Sequence, residues 1–244
     1  MISDPADTDE GEATAASTDS ETLLERLSAG DVLEVDDRGT VRLDEAFTDR
    51  IDARRREIAG ADDADLREVL RDASVEDDAI EGLIEAAALD EEFLAEYLAL
   101  DRVDGLSHEA RLRTLSLFDA LRHAPPDAGA PEPFVPVRGV RLPLLLPLYE
   151  LAIVYTWRED CPPCETMKEG FEATFEEPPA DIALFSVYGP DWGELLEERY
   201  DVVGGPTTLF FHEGRVDVRL TGAHATPIVR REVEKLRDVA AGDR

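Results

Sequence analysis

The sequence predicts two folded parts, an α/β domain with a mixed sheet flanked by helices on both faces, and a mainly α-helical domain before it. Three observations predict this arrangement. Between residues 45 and 123 apolar side chains recur at three and four residues, the period of a helix with one buried face. From residue 151 onward short apolar runs alternate with helical stretches. Between the two, residues 124–136 carry Pro125, Pro126, Pro131, Pro133 and Pro136, which argue against regular structure there.

Taken in order, residues 1–20 are acidic and rich in Ala, Thr and Ser, the composition of a flexible tail. They have neither the positive start nor the apolar core of a signal peptide. A domain over 21–123 follows. It opens with a short helix at 21–26, and residues 31–44 alternate apolar and polar around Asp36-Asp37-Arg38-Gly39, predicting a small β-hairpin. Helices are expected over 45–59, 64–73, 75–88, 91–100 and 108–122. The last shows the pattern well, with Leu112, Leu115, Leu117, Phe118 and Leu121. Asp44, Asp63, Ser74, Asp90 and Ser107 are the expected N-caps, since a short side-chain oxygen can accept from a free N–H of the first turn.

The 124–136 segment is then a proline-rich linker to a domain over 137–244. Strands are predicted at 151–157, 181–188, 207–212 and 215–221, the last two joined as a hairpin across Glu213-Gly214. Helices are predicted at 161–175, 192–200 and 227–239. No internal repeat or sustained heptad is present.

Composition narrows the function classes. Hydrophobic residues make up 43% of the chain, enough for a folded protein. Asp and Glu number 57 against 25 Lys and Arg, a net charge of −32. Lys168 and Lys235 are the lysines, so nearly all positive charge is arginine. Self-repulsion of this size opposes compaction in dilute buffer, but at molar salt the Debye length falls to about 3 Å. The composition therefore predicts a halophilic protein. With no basic patch to hold phosphates, it argues against nucleic acid and anionic membranes as partners. The most apolar stretch, residues 142–157, is interrupted by Pro143, Pro147 and Glu150 and is too short to cross a bilayer. A cytoplasmic location follows as the expectation. In a reducing compartment, two cysteines point to catalysis or metal binding more than to a structural staple.

Those cysteines stand in Trp157-Arg158-Glu159-Asp160-Cys161-Pro162-Pro163-Cys164, where a predicted strand ends and a helix begins. Two intervening residues let both sulfurs share the first helical turn, close enough to bond. Cys161 then lies at the helix N-terminus, where free N–H groups and the dipole favour a thiolate. Pro162 and Pro163 suit a first turn, where a missing N–H matters least. Cys161 can attack a disulfide, and Cys164 can resolve the mixed disulfide.

With these residues in view the chain resembles the thioredoxin superfamily over roughly residues 142–236. The resemblance rests on the Cys-Pro-Pro-Cys motif, on Trp157 four residues before it, and on Gly205-Pro206-Thr207 opening a later strand. It implies a thioredoxin-like fold, a cis Pro206 facing the dithiol, and a substrate groove shaped by Trp157, Pro162, Pro163, Gly205, Pro206, Thr207 and Gly222. It also implies catalysis by Cys161 and Cys164 without a bound cofactor or metal, with protein disulfides as clients and a redox protein as electron donor. The chain departs from the family pattern at three points. Tyr155 stands where thioredoxins carry a buried aspartate. Asp160 replaces an aromatic residue. Glu159, Asp160 and Glu165 ring the motif with negative charge, which is expected to raise the Cys161 pKa.

Two function classes remain open: a thiol–disulfide oxidoreductase, and a non-catalytic redox sensor or adaptor built on the same scaffold. A zinc site would need two further ligands, and His108, His123, His212 and His224 show no recognisable ligand spacing. His212 and His224 are expected on the surface, Met167 in the core, and Trp192 in packing more than in recognition. The charged helices of the N-terminal domain read equally as solvated faces or as a module that docks a partner.

Overall fold

The computed structural model describes residues 22–36, 38–122 and 126–242. The expected 1–20 tail, Asp37 and His123 lie outside the described residues. The first helix, α1 (22–29), runs further than the 21–26 stretch expected.

The hairpin forms as β1 (Leu33–Val35) and β2 (Val41–Leu43), antiparallel. Its turn is organised by Asp36, whose carboxylate accepts from the N–H groups of Arg38 and Thr40 at 2.9 Å each. Those bonds hold its pKa below the ordinary carboxylate value. Gly39 takes a φ of +81°, which favours glycine.

Five helices follow: α2 (Glu45–Ile58), α3 (Asp63–Asp72), α4 (Asp77–Leu89), α5 (Glu91–Ala99) and α6 (His108–Arg122). Asp44 caps α2 as expected, accepting from Ala46 N–H at 2.7 Å, and Ser107 Oγ accepts from Ala110 N–H at 3.2 Å. Three caps differ. Asp62, one residue earlier than Asp63, caps α3 by accepting from Ala64 and Asp65 N–H. Ser74 instead adopts a left-handed φ of +59° after α3, and α4 begins past Glu76 without a side-chain cap. Asp90 occupies the cap position of α5 but makes no capping bond, because its carboxylate pairs with Arg138 at 2.8 Å. α5 is buried from Phe93 through Ala99, as a helix apolar on nearly all sides must be, and the other helices close around it.

The C-terminal part is a five-stranded mixed sheet in the order β3-β5-β4-β6-β7. Its strands are β3 (Val135–Pro136), β4 (Leu151–Trp157), β5 (Ala183–Tyr188), β6 (Thr207–His212) and β7 (Arg215–Thr221). β3 and β4 run parallel to β5, whereas β6 is antiparallel to both β4 and β7. Glu213 and Gly214, both at positive φ, make the two-residue turn of the β6–β7 hairpin. Helices α8 (Pro162–Glu172) and α10 (Thr226–Gly242) pack on one face over a core that includes Ile153, Tyr155, Met167, Phe171 and Val233. On the other face α7 (Leu142–Leu145) and α9 (Gly193–Tyr200) cover Val154, Val187 and Leu209. β4 is buried at all seven positions, as a central strand between two helical layers has to be.

The expectation that prolines keep residues 124–136 free of regular structure is corrected. Val135–Pro136 is an edge strand beside β5, where a missing N–H on the open side is harmless. The stretch before it is a strap held against the sheet domain. Phe134 is buried against Tyr155, Phe171 and Phe175, Lys168 Nζ donates to Ala128 O at 2.8 Å, and Gly129 lies on the Trp157 ring.

The two parts meet through arginines. Arg141, between β3 and α7, donates to Glu96 of α5 at 2.5 Å and to the carbonyl of Leu115 on α6. Arg138, just after β3, pairs with Asp90 at 2.8 Å, while within the helical part Arg122 reaches Glu96 and Glu92 at 3.0 Å and Arg55 reaches Glu92 at 2.9 Å.

Candidate redox site

β4 points the chain at the site. After Trp157 the turn residues Arg158, Glu159 and Asp160 follow, with Asp160 at φ +49°, and Cys161 becomes the N-cap of α8. The expected helix at 161–175 thus starts one residue later, at Pro162, because Cys161 supplies the cap. Pro162 and Pro163 fill the first turn, where their lack of N–H leaves no helical bond unmade. Cys161 Sγ accepts from Cys164 N–H at 3.2 Å, one of the free donors expected of a helix start.

Cys161 and Cys164 are joined as a disulfide with their Cα atoms 5.2 Å apart. The sulfur-bearing residues are 4% and 2% exposed, so the pair lies at the rim of the core with only a narrow approach. Pro162 and Pro163 are exposed beside it. Beneath the pair, the hydroxyl of Tyr155 donates to the carbonyl of Cys164 at 2.9 Å. Burial, with Glu165 nearby, pushes the Tyr155 phenol far above its ordinary pKa, so it stays protonated.

Of the residues expected to shape a groove, Gly205, Pro206, Thr207 and Gly222 are brought together by the hairpin. The Gly205–Pro206 peptide is cis. Gly222, at φ +83°, donates its N–H to Pro206 O at 2.8 Å, linking the end of β7 to the start of β6. Thr207 Oγ1 donates to Gly204 O at 2.6 Å, and Thr156 Oγ1 to Thr207 O at 3.1 Å. Gly205 lies against the end of β4, where a Cβ would make ordinary contact with the backbone of Thr156 and Trp157 at 3.4 Å. A cavity of about 250 Å³ opens there, lined by Trp157, Arg158, Gly189, Leu196, Val202 and Gly205 among others.

Trp157 itself is 2% exposed. Its ring packs against Tyr188 at 5.0 Å between centroids and is covered by Gly129. Tyr188 is pushed up in pKa by desolvation first, then by Glu159, Asp191 and Asp160, which shows how negative charge converges beside the motif. Met167 is buried as expected, and Trp192 packs against Gly139 and the α7–α9 core. His224 Nε2 lies 3.2 Å from Thr221 O, and His108 pairs with the Tyr97 hydroxyl at 2.8 Å. Among the described residues no group of three His, Cys, Asp or Glu could hold a metal ion, and no helix is long and apolar enough to cross a membrane. Three contributors escaped the sequence reading. Gly129 and Phe134 are remote in sequence and bear no motif, while the Tyr155 hydroxyl showed only as a missing charge.

The sheet order, the cysteine pair at the N-terminus of the helix after β4, and the cis-proline opening the antiparallel hairpin define a thioredoxin-like fold. Solved structures similar to the chain include thioredoxins from several organisms. A mutant thioredoxin from Halobacterium salinarum is 19% identical, covering 44% of this chain and 94% of its own, with a TM-score of 0.37. Plasmodium falciparum thioredoxin is 21% identical over 41% and 96%, with a TM-score of 0.35. Mitochondrial thioredoxin 3 from Saccharomyces cerevisiae, in its oxidised form, is 12% identical over 42% and 94%, with a TM-score of 0.36. No protein-family model matches the chain, and no curated protein matches it.

Proposed function

We propose that this protein is a thiol–disulfide oxidoreductase working through Cys161 and Cys164. The observation that carries the reading is the Cys161–Cys164 bond across the first turn of α8, with Cys161 at the helix cap. In the reduced protein the Cys161 thiolate attacks a client disulfide. A Cys161–client S–S bond forms, and the other client sulfur leaves as a thiolate that takes a proton. Cys164 then attacks Cys161 Sγ, closes the internal disulfide and releases the second client sulfur. Two electrons pass to the client, and a redox-protein donor restores the dithiol. The cleft at Trp157 and Gly205, beside the cis Pro206, would hold the extended client segment. The clients are proteins with accessible disulfides, the site of action is the cytoplasm of a salt-rich cell, and the N-terminal helical domain docks a partner.

The test is turnover of a protein disulfide such as insulin at molar salt. Cys161→Ser should abolish it, and Cys164→Ser should accumulate mixed disulfides that migrate as covalent adducts. Wild-type turnover persisting in Cys161→Ser would overturn the mechanism.

A second reading, a redox sensor or adaptor that changes state once, is favoured by one observation, the 4% and 2% exposure of the two cysteines. It predicts no multiple turnover and a partner affinity that differs between the oxidised and reduced forms.

A further inference from the structure

Tyr155 is fully buried in β4, directly under the first turn of α8. Its hydroxyl is the side-chain donor to the Cys164 carbonyl. The same turn is fixed from above, where Glu165 N–H donates to Cys161 O at 3.2 Å and Cys164 N–H to Cys161 O at 2.8 Å. Phe171 and Phe134 wall the phenol on two sides, at 5.4 Å and 6.3 Å between ring centroids. Among the described residues, the polar groups the sheet offers at this level are therefore this hydroxyl and its register neighbours, Ser186 on β5 and Thr208 on β6. Both of those are buried, and their hydroxyls have no hydrogen-bond partner among the described residues.

We propose, building on the oxidoreductase reading, that Tyr155 is the positioning residue of the resolving cysteine, and that the Cys164 proton is taken by solvent base because no free buried carboxylate among the described residues lies beneath α8. The charged groups on every packed element fit this. On α8, Glu165 is exposed, Lys168 is engaged by Ala128 O, and Glu172 accepts from the strap at Glu132 N–H. On α10, the buried Glu232 is closed by Arg231 at 2.8 Å and Lys235 at 3.1 Å. Glu159 and Asp160 stand on the exposed turn before the motif. β5 and β6 offer only the Ser186 and Thr208 hydroxyls at this level.

The chemistry is the closing step. With Cys161 joined to an aryl thiolate, the Cys164 thiol loses its proton to solvent and its sulfur attacks Cys161 Sγ. The internal disulfide forms and the aryl thiolate leaves with the electron pair. Holding the Cys164 carbonyl fixes the Cα of Cys164, and with it the line along which the sulfur approaches.

The reduced full-length protein mixed with Ellman's reagent separates the two steps, since the first coloured thiolate reports attack by Cys161 and the second reports closure by Cys164. Tyr155→Phe should leave attack unchanged within about twofold and slow closure about fivefold, the effect of losing one hydrogen bond. In the wild type, closure should rise about tenfold per pH unit from about pH 4 through neutrality, with no inflection on the way. Closure unchanged in Tyr155→Phe would overturn the positioning role, and an inflection between about pH 4 and 7 would overturn the solvent route. The wild-type profile stands even if the variant fails to fold. Because Ellman's reagent is not a client, the closure data read Tyr155 even where insulin turnover, and with it the oxidoreductase reading, fails.

Discussion

The guanidinium of Arg141 donates to the carboxylate of Glu96 at 2.5 Å with the two residues 1% and 0% exposed. One residue belongs to the segment leading into α7 and the other to α5, so a buried ion pair locks the helical part onto the sheet. Arg141 stacks at 5.4 Å on the Phe93 ring as well. Such a pair is weak evidence of net stability, yet removing one partner strands a buried charge. Glu96→Ala should therefore lower unfolding free energy by about 3–5 kcal/mol, whereas Glu96→Leu combined with Arg141→Met should recover most of that loss. Urea titrations of the two variants against wild type check this, and equal stability of the single and double variants would refute it.

Gly129→Ala should damage the strap. A Cβ there would fall 2.1 Å from Trp157 Cε3, with the ring already held by Tyr188. Overpacking of this kind costs about 1–3 kcal/mol. Intrinsic fluorescence should register a displaced Trp157 in the folded variant, alongside a lower denaturation midpoint. Wild-type values for both would mean that the strap yields freely.

Salt should govern stability. With a net charge of −32, the folded state repels itself most strongly at low ionic strength. The thermal midpoint followed by circular dichroism should climb from about 0.1 M to molar salt, where the screening length shrinks from about 10 Å to 3 Å. A flat profile would remove the halophilic reading.

Acid should expose a tie at the surface. The side-chain hydrogen bonds from Arg237 hold the Asp181 pKa below its ordinary value at 2.6 and 3.0 Å. A carboxyl depressed in the folded state contributes stability above its unfolded pKa and loses that contribution as pH falls through the folded value. Both side chains are about half exposed, so the effect is at most about 1 kcal/mol. Arg237→Gln should fall short of wild type near neutrality, and the gap should narrow as pH falls below about 3.9, the unfolded carboxyl pKa. Equal stability of the two proteins at pH 7 would show that the pair contributes nothing.

The reduction potential of the Cys161–Cys164 pair separates the two functional readings. A midpoint near about −270 mV at molar salt with repeated insulin turnover fits a reducing oxidoreductase. A midpoint tens of millivolts higher, without turnover, fits a sensor and would set aside the catalytic proposal.

The sequence by itself determined what short-range chemistry controls. β4, β6, β7 and α6 stand at their expected residues, because alternation or a three-and-four period specifies which side chains a layer must bury. The dithiol and its prolines were legible too, since their spacing encodes one helical turn, while the Gly205–Pro206 turn was expected only from the resemblance to thioredoxins. Caps were less certain. Asp62, Asp63 and Asp65 offer equivalent oxygens, and the backbone entry angle selects Asp62. Only the tertiary structure decided how the parts meet. The proline-rich stretch became an edge strand and a strap over Trp157, Glu96 found Arg141 across 45 residues, and Tyr155 reached the Cys164 carbonyl. Each of these depends on groups distant along the chain, which close packing brings together and which no local period records.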